Sequence, residues 1–99
     1  MTLEITGVTA RFDGTSIENG SDTKFTEVTI RGTASEKGQI INIYDGANEI
    51  FSTTSNQDLT WVGYPPTLDV GKHKFEAKLP WDEEVSNEWV ITVLSSNTH

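Results

Sequence analysis

The sequence predicts an all-β domain, folded as a two-sheet antiparallel β-sandwich of about seven strands. The clearest observation is the segment 71–79, GKHKFEAKL, in which charged side chains alternate with His73, Phe75, Ala77 and Leu79. Successive side chains of a β-strand point to opposite faces, so this alternation is typical of a strand with one buried face and one face in water. Turn residues also recur roughly every eight to twelve residues, as they do between the short strands of sandwiches and barrels. No segment carries a convincing helical period.

The first strand is predicted at Leu3–Ala10, and a polar segment follows over Arg11–Lys24. That segment contains two turn signals, Asp13-Gly14 and Asn19-Gly20. An Asn-Gly pair is favoured in hairpin turns because both residues tolerate positive φ. Apolar residues alternate again over Thr26–Ala34, which is therefore predicted as the second strand.

Turn signals separate the later strands in the same way. These strands are predicted at Gln39–Tyr44, Glu49–Thr54, Leu59–Val62, 72–79 and Glu88–Leu94. The turns Glu36-Lys37-Gly38 and Asp45-Gly46 precede the first two of them. Tyr64-Pro65-Pro66 is predicted to be a connection, since proline gives no donor to a central strand. A loop is predicted over Pro80–Asn87.

Antiparallel strands without helices leave two architectures, a two-sheet sandwich or a closed barrel. Long connections over 11–24 and 80–87 favour the sandwich, because such links can cross between two sheets. We expect one domain over 1–99, with its core in about 3–94 and a polar tail over 95–99. The side chains predicted to point inward are Val28, Ile30, Ile41, Ile43, Trp61, Phe75, Ala77, Trp89 and Ile91.

Charge and composition exclude several classes of protein. The 99 residues include 15 acidic and 7 basic side chains, and the net charge of −8 would repel nucleic acid and anionic lipid. There are no cysteines, so disulfides, zinc–thiolate sites and cysteine nucleophiles are excluded. No apolar run is long enough to cross a membrane, and the first ten residues show no signal peptide. If the protein is exported, its signal lies outside this chain.

Several short motifs, taken in order, carry a resemblance to a known family. They are TIRGTA at 29–34, INIYDG at 41–46, TW at 60–61, GKHKFEA at 71–77, and Trp89 followed by TV at 92–93. Their order and spacing resemble the bacterial immunoglobulin-like (Big-type) repeat over about Ile5 to Leu94. The resemblance implies an immunoglobulin-like sandwich from a multidomain bacterial surface or secreted protein. In such proteins these repeats act as spacers or adhesive modules and are not enzymes.

His73 is the only histidine away from the chain end, and it lies on the inward face of its predicted strand. A catalytic base would need a nucleophile and an orienting carboxylate beside it, and the sequence offers no G-x-S-x-G motif. We therefore expect a half-buried structural histidine, bonded to a neighbouring strand or loop. The matching histidine in the family has this role.

The acidic residues Asp82, Glu83 and Glu84 form a carboxylate cluster in a predicted loop. Carboxylates are ligands for Ca²⁺, but the D-x-[DN]-x-[DN]-G spacing of a calcium loop is missing. The family's frequent D-x-x-G-N-x-S loop is also changed here. A solvated acidic loop is the prediction, with no cofactor, and a weak calcium site is the alternative.

Aromatic residues offer the second kind of candidate site. Trp61 and Trp89 are at core-facing positions of their strands, whereas Trp81 and Tyr64 flank prolines in loops. Exposed aromatic rings can stack on sugars, so Trp81 and Tyr64 are the candidate ligand-binding residues. Alternatively, they cap the end of the sandwich.

Together these observations predict a non-catalytic spacer or adhesion module of an extracellular or cell-surface protein. The alternative is a carbohydrate-binding accessory domain. Expected partners are neighbouring domains of the same polypeptide and an unknown protein or glycan, with no nucleic acid and no membrane insertion. We also expect a monomer, in which the outward row Lys72, Lys74 and Lys78 protects against edge-to-edge pairing if its strand lies near an edge.

Overall fold

A computed structural model of the chain describes residues 3–80 and 85–94, and its regular structure there is entirely β. The eight strands are β1 (Glu4–Ala10), β2 (Ser21–Thr23), β3 (Val28–Thr33), β4 (Ile40–Asp45), β5 (Asn48–Thr54), β6 (Thr60–Gly63), β7 (Gly71–Lys78) and β8 (Trp89–Val93). Among these residues, none belongs to a helix long and apolar enough to span a membrane.

The strands form two sheets, as the sequence predicts. One sheet has the order β1-β3-β6 and the other has the order β2-β8-β7-β4-β5. Neighbouring strands are antiparallel except β2 and β8, which run parallel. The sequence-predicted strands are confirmed, with ends that differ by one or two residues.

Strand β2 was not predicted from the sequence, because it lies inside the polar segment 11–24. Its three residues are too few to show alternation, and its partner is residues 91–93, far along the chain. Asn19-Gly20 does form a turn, and Gly20 has a φ of +88°. That turn leads into β2 rather than joining two adjacent strands, because β1 and β2 lie in different sheets.

The core lies between the two sheets, and strand register places its side chains. Residues directly opposite each other in a ladder share a face. Val8 is opposite Ile30, and Ile43 is opposite Ala77, so each pair points into the core. The predicted inward side chains are all buried except Trp89, which is partly buried against the core.

The lysine row does not lie at a sheet edge, so the condition for its expected protective role is not met. Strand β7 is the middle strand of the five-stranded sheet, between β8 and β4. Lysines on its outer face cover the sheet instead of a free edge. Lys74 lies 3.4 Å from Glu88, and the Lys78 ammonium lies 4.6 Å from the centre of the Tyr44 ring. Local alternation revealed the face of the strand but not its place in the sheet.

Asparagine side chains cover two strand edges in place of the lysines. The Asn87 amide accepts from the backbone N–H of Ile5 and donates to the Ile5 carbonyl, at 2.8 and 3.1 Å. Asn19 does the same for β8, accepting from the Val90 N–H and donating to the Glu88 carbonyl, at 2.8 and 3.0 Å. Each amide pairs with backbone groups as a further strand would.

The chain passes through the sandwich from one end to the other. Glu4 is opposite Thr33, and Thr33 is also opposite Thr60, which defines the entry end of the molecule. At the other end, which we call the exit end, Val93 is opposite Gly71. Strands β1, β4 and β6 also finish at the exit end, and the connections that follow them lie there.

Candidate functional site

Exposed apolar side chains concentrate at the exit end of the sandwich. Phe12 is 91% exposed in the turn after β1, and Tyr64 is 59% exposed directly after β6. Val70, just before β7, and Leu94, just after β8, are exposed as well. A surface of this kind can contact a partner, although single exposed apolar residues are common on any protein.

Tyr64 is held in place by Arg11. The Arg11 guanidinium carbon lies 5.3 Å from the centre of the Tyr64 ring, within the range of a cation–π interaction. The same guanidinium donates to the backbone carbonyls of Pro65 and Val28, at 2.8 and 3.2 Å. The candidate aromatic is therefore an exposed ring with a fixed support.

Sequence reasoning identified Tyr64 but missed Arg11 and Phe12. Arg11 and Pro65 are 54 positions apart, and only the pairing of β1 and β6 with β3 brings them together. Phe12 follows a strand and precedes Asp13-Gly14, so its exposure at a turn was visible in principle. An apolar residue at that place is equally compatible with a buried strand end.

A shallow groove of about 410 Å³ runs beside β2 at the exit end. It is lined by Thr15, Ser16, Ile17, Ser21, Asp22, Thr23, Lys24, Phe25 and Leu94. The groove is largely apolar at its base because the Phe25 side chain packs against the core there. It is open enough to receive a side chain but carries no convergent set of charged groups.

The other predicted site residues, Trp81, Asp82, Glu83 and Glu84, lie outside the described residues. Within 3–80 and 85–94, no group of three or more His, Asp or Glu side chains is placed to hold a metal ion. The calcium alternative, which rests on Asp82, Glu83 and Glu84, stays a prediction.

His73 belongs to a cluster of titratable groups that is partly buried in the sandwich. Its Nδ1 lies 2.5 Å from Oδ2 of Asp45, and its Nε2 lies 2.7 Å from the backbone carbonyl oxygen of Asp69. The other Asp45 oxygen accepts from the backbone N–H of Lys74 at 3.0 Å. The His73 and Asp45 side chains are only 12% and 22% exposed. The predicted half-buried histidine, bonded to a neighbouring strand and a loop, is found.

The environment of His73 raises its pKa above the usual value of 6.5. Partial burial acts in the opposite direction, since it disfavours the charged ring. The hydrogen bonds to Asp45 and to the Asp69 carbonyl, together with the negative charges of the two carboxylates, outweigh it. Nε2 is aimed at a carbonyl and not at a hydroxyl, so the ring is not placed to activate a nucleophile.

Comparison with known proteins adds one similarity, and it concerns the fold. No protein-family model matches the sequence, and no curated protein does either. A solved structure described as fibronectin(III)-like modules of CbhA from Clostridium thermocellum is similar, with a TM-score of 0.60 and 17% sequence identity. The match covers 88% of this chain and 94% of that chain. At that identity the similarity supports an immunoglobulin-like β-sandwich and says nothing about activity.

Proposed function

We propose that this chain is a non-catalytic spacer module of the bacterial immunoglobulin-like type, within a longer surface or secreted polypeptide. The observation that carries the proposal is the path of the chain. It enters at Glu4 beside Thr33 and leaves at Val93 beside Gly71, at the opposite end of the strands. Modules joined in this way form a string, and each one adds its length.

The dimensions of the molecule suit that role. The Cα atoms span 47 × 27 × 20 Å. Five neighbouring strands at about 4.8 Å and two sheets about 10 Å apart give widths of about 20 Å or less, so the longest dimension runs along the strands. The modular occurrence of the fold in the Clostridium thermocellum protein is consistent with the proposal.

Scattering from tandem polypeptides tests the spacer role. Two and three copies of residues 1–99, joined directly, should give a maximum dimension that grows by roughly the 47 Å length of a module for each added copy. Small-angle X-ray scattering measures this dimension in solution. Growth well below half a module length per copy would mean that the copies fold back on one another, and the spacer proposal would fail.

Carbohydrate binding is the second candidate function, and the fixed Tyr64 ring favours it. Sugar rings stack on exposed aromatic faces, and Arg11 already holds this one in position. Tryptophan fluorescence and calorimetric titration with soluble oligosaccharides would reveal binding. A sugar whose affinity is lost in Tyr64→Ala or Trp81→Ala, but not in the control Phe12→Ala, would identify a sugar-binding module. Absence of binding across a glycan array leaves the spacer role.

A further inference from the structure

Both ring nitrogens of His73 face acceptors, and this fixes the number of protons in the cluster. A carbonyl oxygen cannot donate, so Nε2 carries the proton that lies towards Asp69. The contact between Nδ1 and the Asp45 carboxyl needs a second proton, whichever of the two atoms holds it. The closed cluster therefore contains one proton more than a neutral histidine beside an ionised aspartate.

Loss of that proton leaves one N–H for two acceptors. Hydrogen bonds to an ionised carboxylate are roughly twice as strong as bonds to a neutral acceptor. The neutral ring therefore keeps Nδ1–H for Asp45 and turns the Nε2 lone pair towards the Asp69 carbonyl. Two acceptors separated by 2.7 Å repel each other, so this second contact opens.

We propose that His73 is a protonation-dependent latch, which fastens the Asp69 end of the 64–70 connection to the sandwich and releases it when the ring becomes neutral. The β4–β5 side of the cluster stays closed in both states, because Asp45 keeps a donor from His73 and another from the Lys74 backbone. The device is a regulatory feature of the exit end and does not depend on the spacer role.

The charges around the ring favour the closed state. Asp45 faces it from β4 and Asp69 from the 64–70 connection, while its partner on β8 is the uncharged Ile91. Within β7, the Phe75 ring stacks near it, with 6.1 Å between ring centres and an interplanar angle of 11°.

The lysines on either side of His73 do not oppose its charge from the same face. Lys72 and Lys74 are exposed on the outer face of β7, where Lys74 pairs with Glu88. Because the pKa of His73 is raised above 6.5, the closed state is the majority at pH 6.5, and the latch opens as the pH rises through that higher pKa.

Release is confined to a short segment. Leu68 is buried and donates its N–H to the Thr26 carbonyl at 2.8 Å, and Arg11 holds the Pro65 carbonyl. The freed part therefore lies between Leu68 and β7. Gly71 has a φ of +132° at this junction, a conformation that other residues rarely adopt, so the backbone can turn there.

An NMR titration of residues 1–99 between pH 5.5 and 9 tests the latch, in a His99→Gln variant so that one histidine titrates. We expect a His73 pKa above 6.5 and, above it, ring ¹⁵N shifts of the Nδ1–H tautomer. The Asp69 carbonyl ¹³C resonance should move upfield with the same midpoint, while that of Pro65 stays in place. A pKa at or below 6.5, an Nε2–H tautomer, or an unmoved Asp69 resonance each overturns the proposal.

The Asp45→Asn variant provides a second, independent test of the latch. An amide can donate to Nδ1, so a neutral ring then keeps its Nε2–H for Asp69. The pKa of His73 should fall in this variant, and the Asp69 carbonyl resonance should no longer move with pH. Asp69→Asn is the matched control, because it removes a nearby charge and leaves the carbonyl. Equal behaviour of the two variants would contradict the latch, and if either variant fails to fold, the titration of the His99→Gln protein decides between the outcomes.

Discussion

The indole ring of Trp61 occupies the space that a β-carbon on Gly32 would need. The two residues are directly opposite each other on β6 and β3. Trp61 is 2% exposed, and its Nε1 donates to the Thr33 carbonyl at 2.9 Å. The absence of a side chain at Gly32 therefore leaves room for the Trp61 ring, which packs in the core beside the β1-β3-β6 sheet.

Trp61→Ala should remove much of the stability of the domain. Truncating a large buried aromatic costs about 3–5 kcal/mol, and a small domain has about 5–15 kcal/mol in total. Urea unfolding followed by circular dichroism measures the loss. Trp89→Ala is the control, and its loss should be smaller because Trp89 is only partly buried. An unchanged urea midpoint in Trp61→Ala would place the ring outside the core.

Two glycine replacements test the Trp61 contact from its other side. A methyl group on Gly32 would collide with the Trp61 ring and with the Glu4 carbonyl, so Gly32→Ala should cost about 1–3 kcal/mol. Gly7 is also in a strand, but its missing β-carbon would meet nothing within 4 Å. Gly7→Ala should be neutral or stabilising by up to about 1 kcal/mol. Equal effects would mean that Trp61 does not lie over Gly32.

The Asn87 amide should be needed for its hydrogen-bonding pattern and not for its size. Asn87→Asp keeps the acceptor for the Ile5 N–H but loses the donor to the Ile5 carbonyl. Because this hydrogen bond is part-buried, its loss should destabilise the fold by about 0.5–1.5 kcal/mol. Asn48→Asp, an exposed change of the same chemistry in the β4–β5 hairpin, should cost much less. If the Asn87→Asp protein is as stable as the Asn48→Asp protein, the hydrogen bond from Asn87 to the Ile5 carbonyl does not stabilise the fold.

Stability should fall between neutral and alkaline pH because of His73. A group whose pKa is raised by folding stabilises the folded state fully below its unfolded pKa, near 6.5, and loses this effect as the pH rises through the folded pKa. Denaturant midpoints measured between pH 6 and 9 should therefore decline. In His73→Gln the same curve should be nearly flat, and an identical slope in both proteins would assign the effect to other groups.

Calcium should have little effect on stability, and this remains a prediction about the 81–84 segment. A ligand that binds only the folded state, at a concentration a hundredfold above its Kd, adds about 2.7 kcal/mol to the free energy of unfolding. In a domain of this size that would raise Tm by roughly 10 °C or more. We expect millimolar Ca²⁺ to shift Tm by less than about 3 °C, as NaCl of equal ionic strength does. A large Ca²⁺-specific shift that Asp82→Asn abolishes would establish a calcium site.

The sequence predicted those parts of the fold that depend on local pattern. Alternation located the β7 strand and put Phe75 and Ala77 in the core, where they are fully buried. Pattern could not reveal β2, whose three residues are too few to alternate, nor its parallel pairing with β8. Strand order is likewise non-local, so alternation alone left open whether the lysine row lies near an edge, and the fold places β7 at the centre of its sheet.

The candidate site shows the same division. Tyr64 was predicted to be exposed because it precedes two prolines, and it is exposed. Its support by Arg11 joins residues that meet only after the three-stranded sheet has formed. The sequence predicted that His73 bonds to a neighbouring strand or loop but named neither partner, and the fold supplies both Asp45, 28 positions away, and Asp69, 4 positions away.

The path of the chain from one end of the sandwich to the other is the central claim, and a single distance tests it. The protein has no cysteine, so Glu4→Cys and Leu94→Cys introduce two unique sites for spin labels at the entry and exit ends. Double electron–electron resonance should give a separation longer than about 24 Å, the length of a seven-residue strand. A separation below about 15 Å, shorter than such a strand, would put both sites at the same end and contradict the spacer geometry.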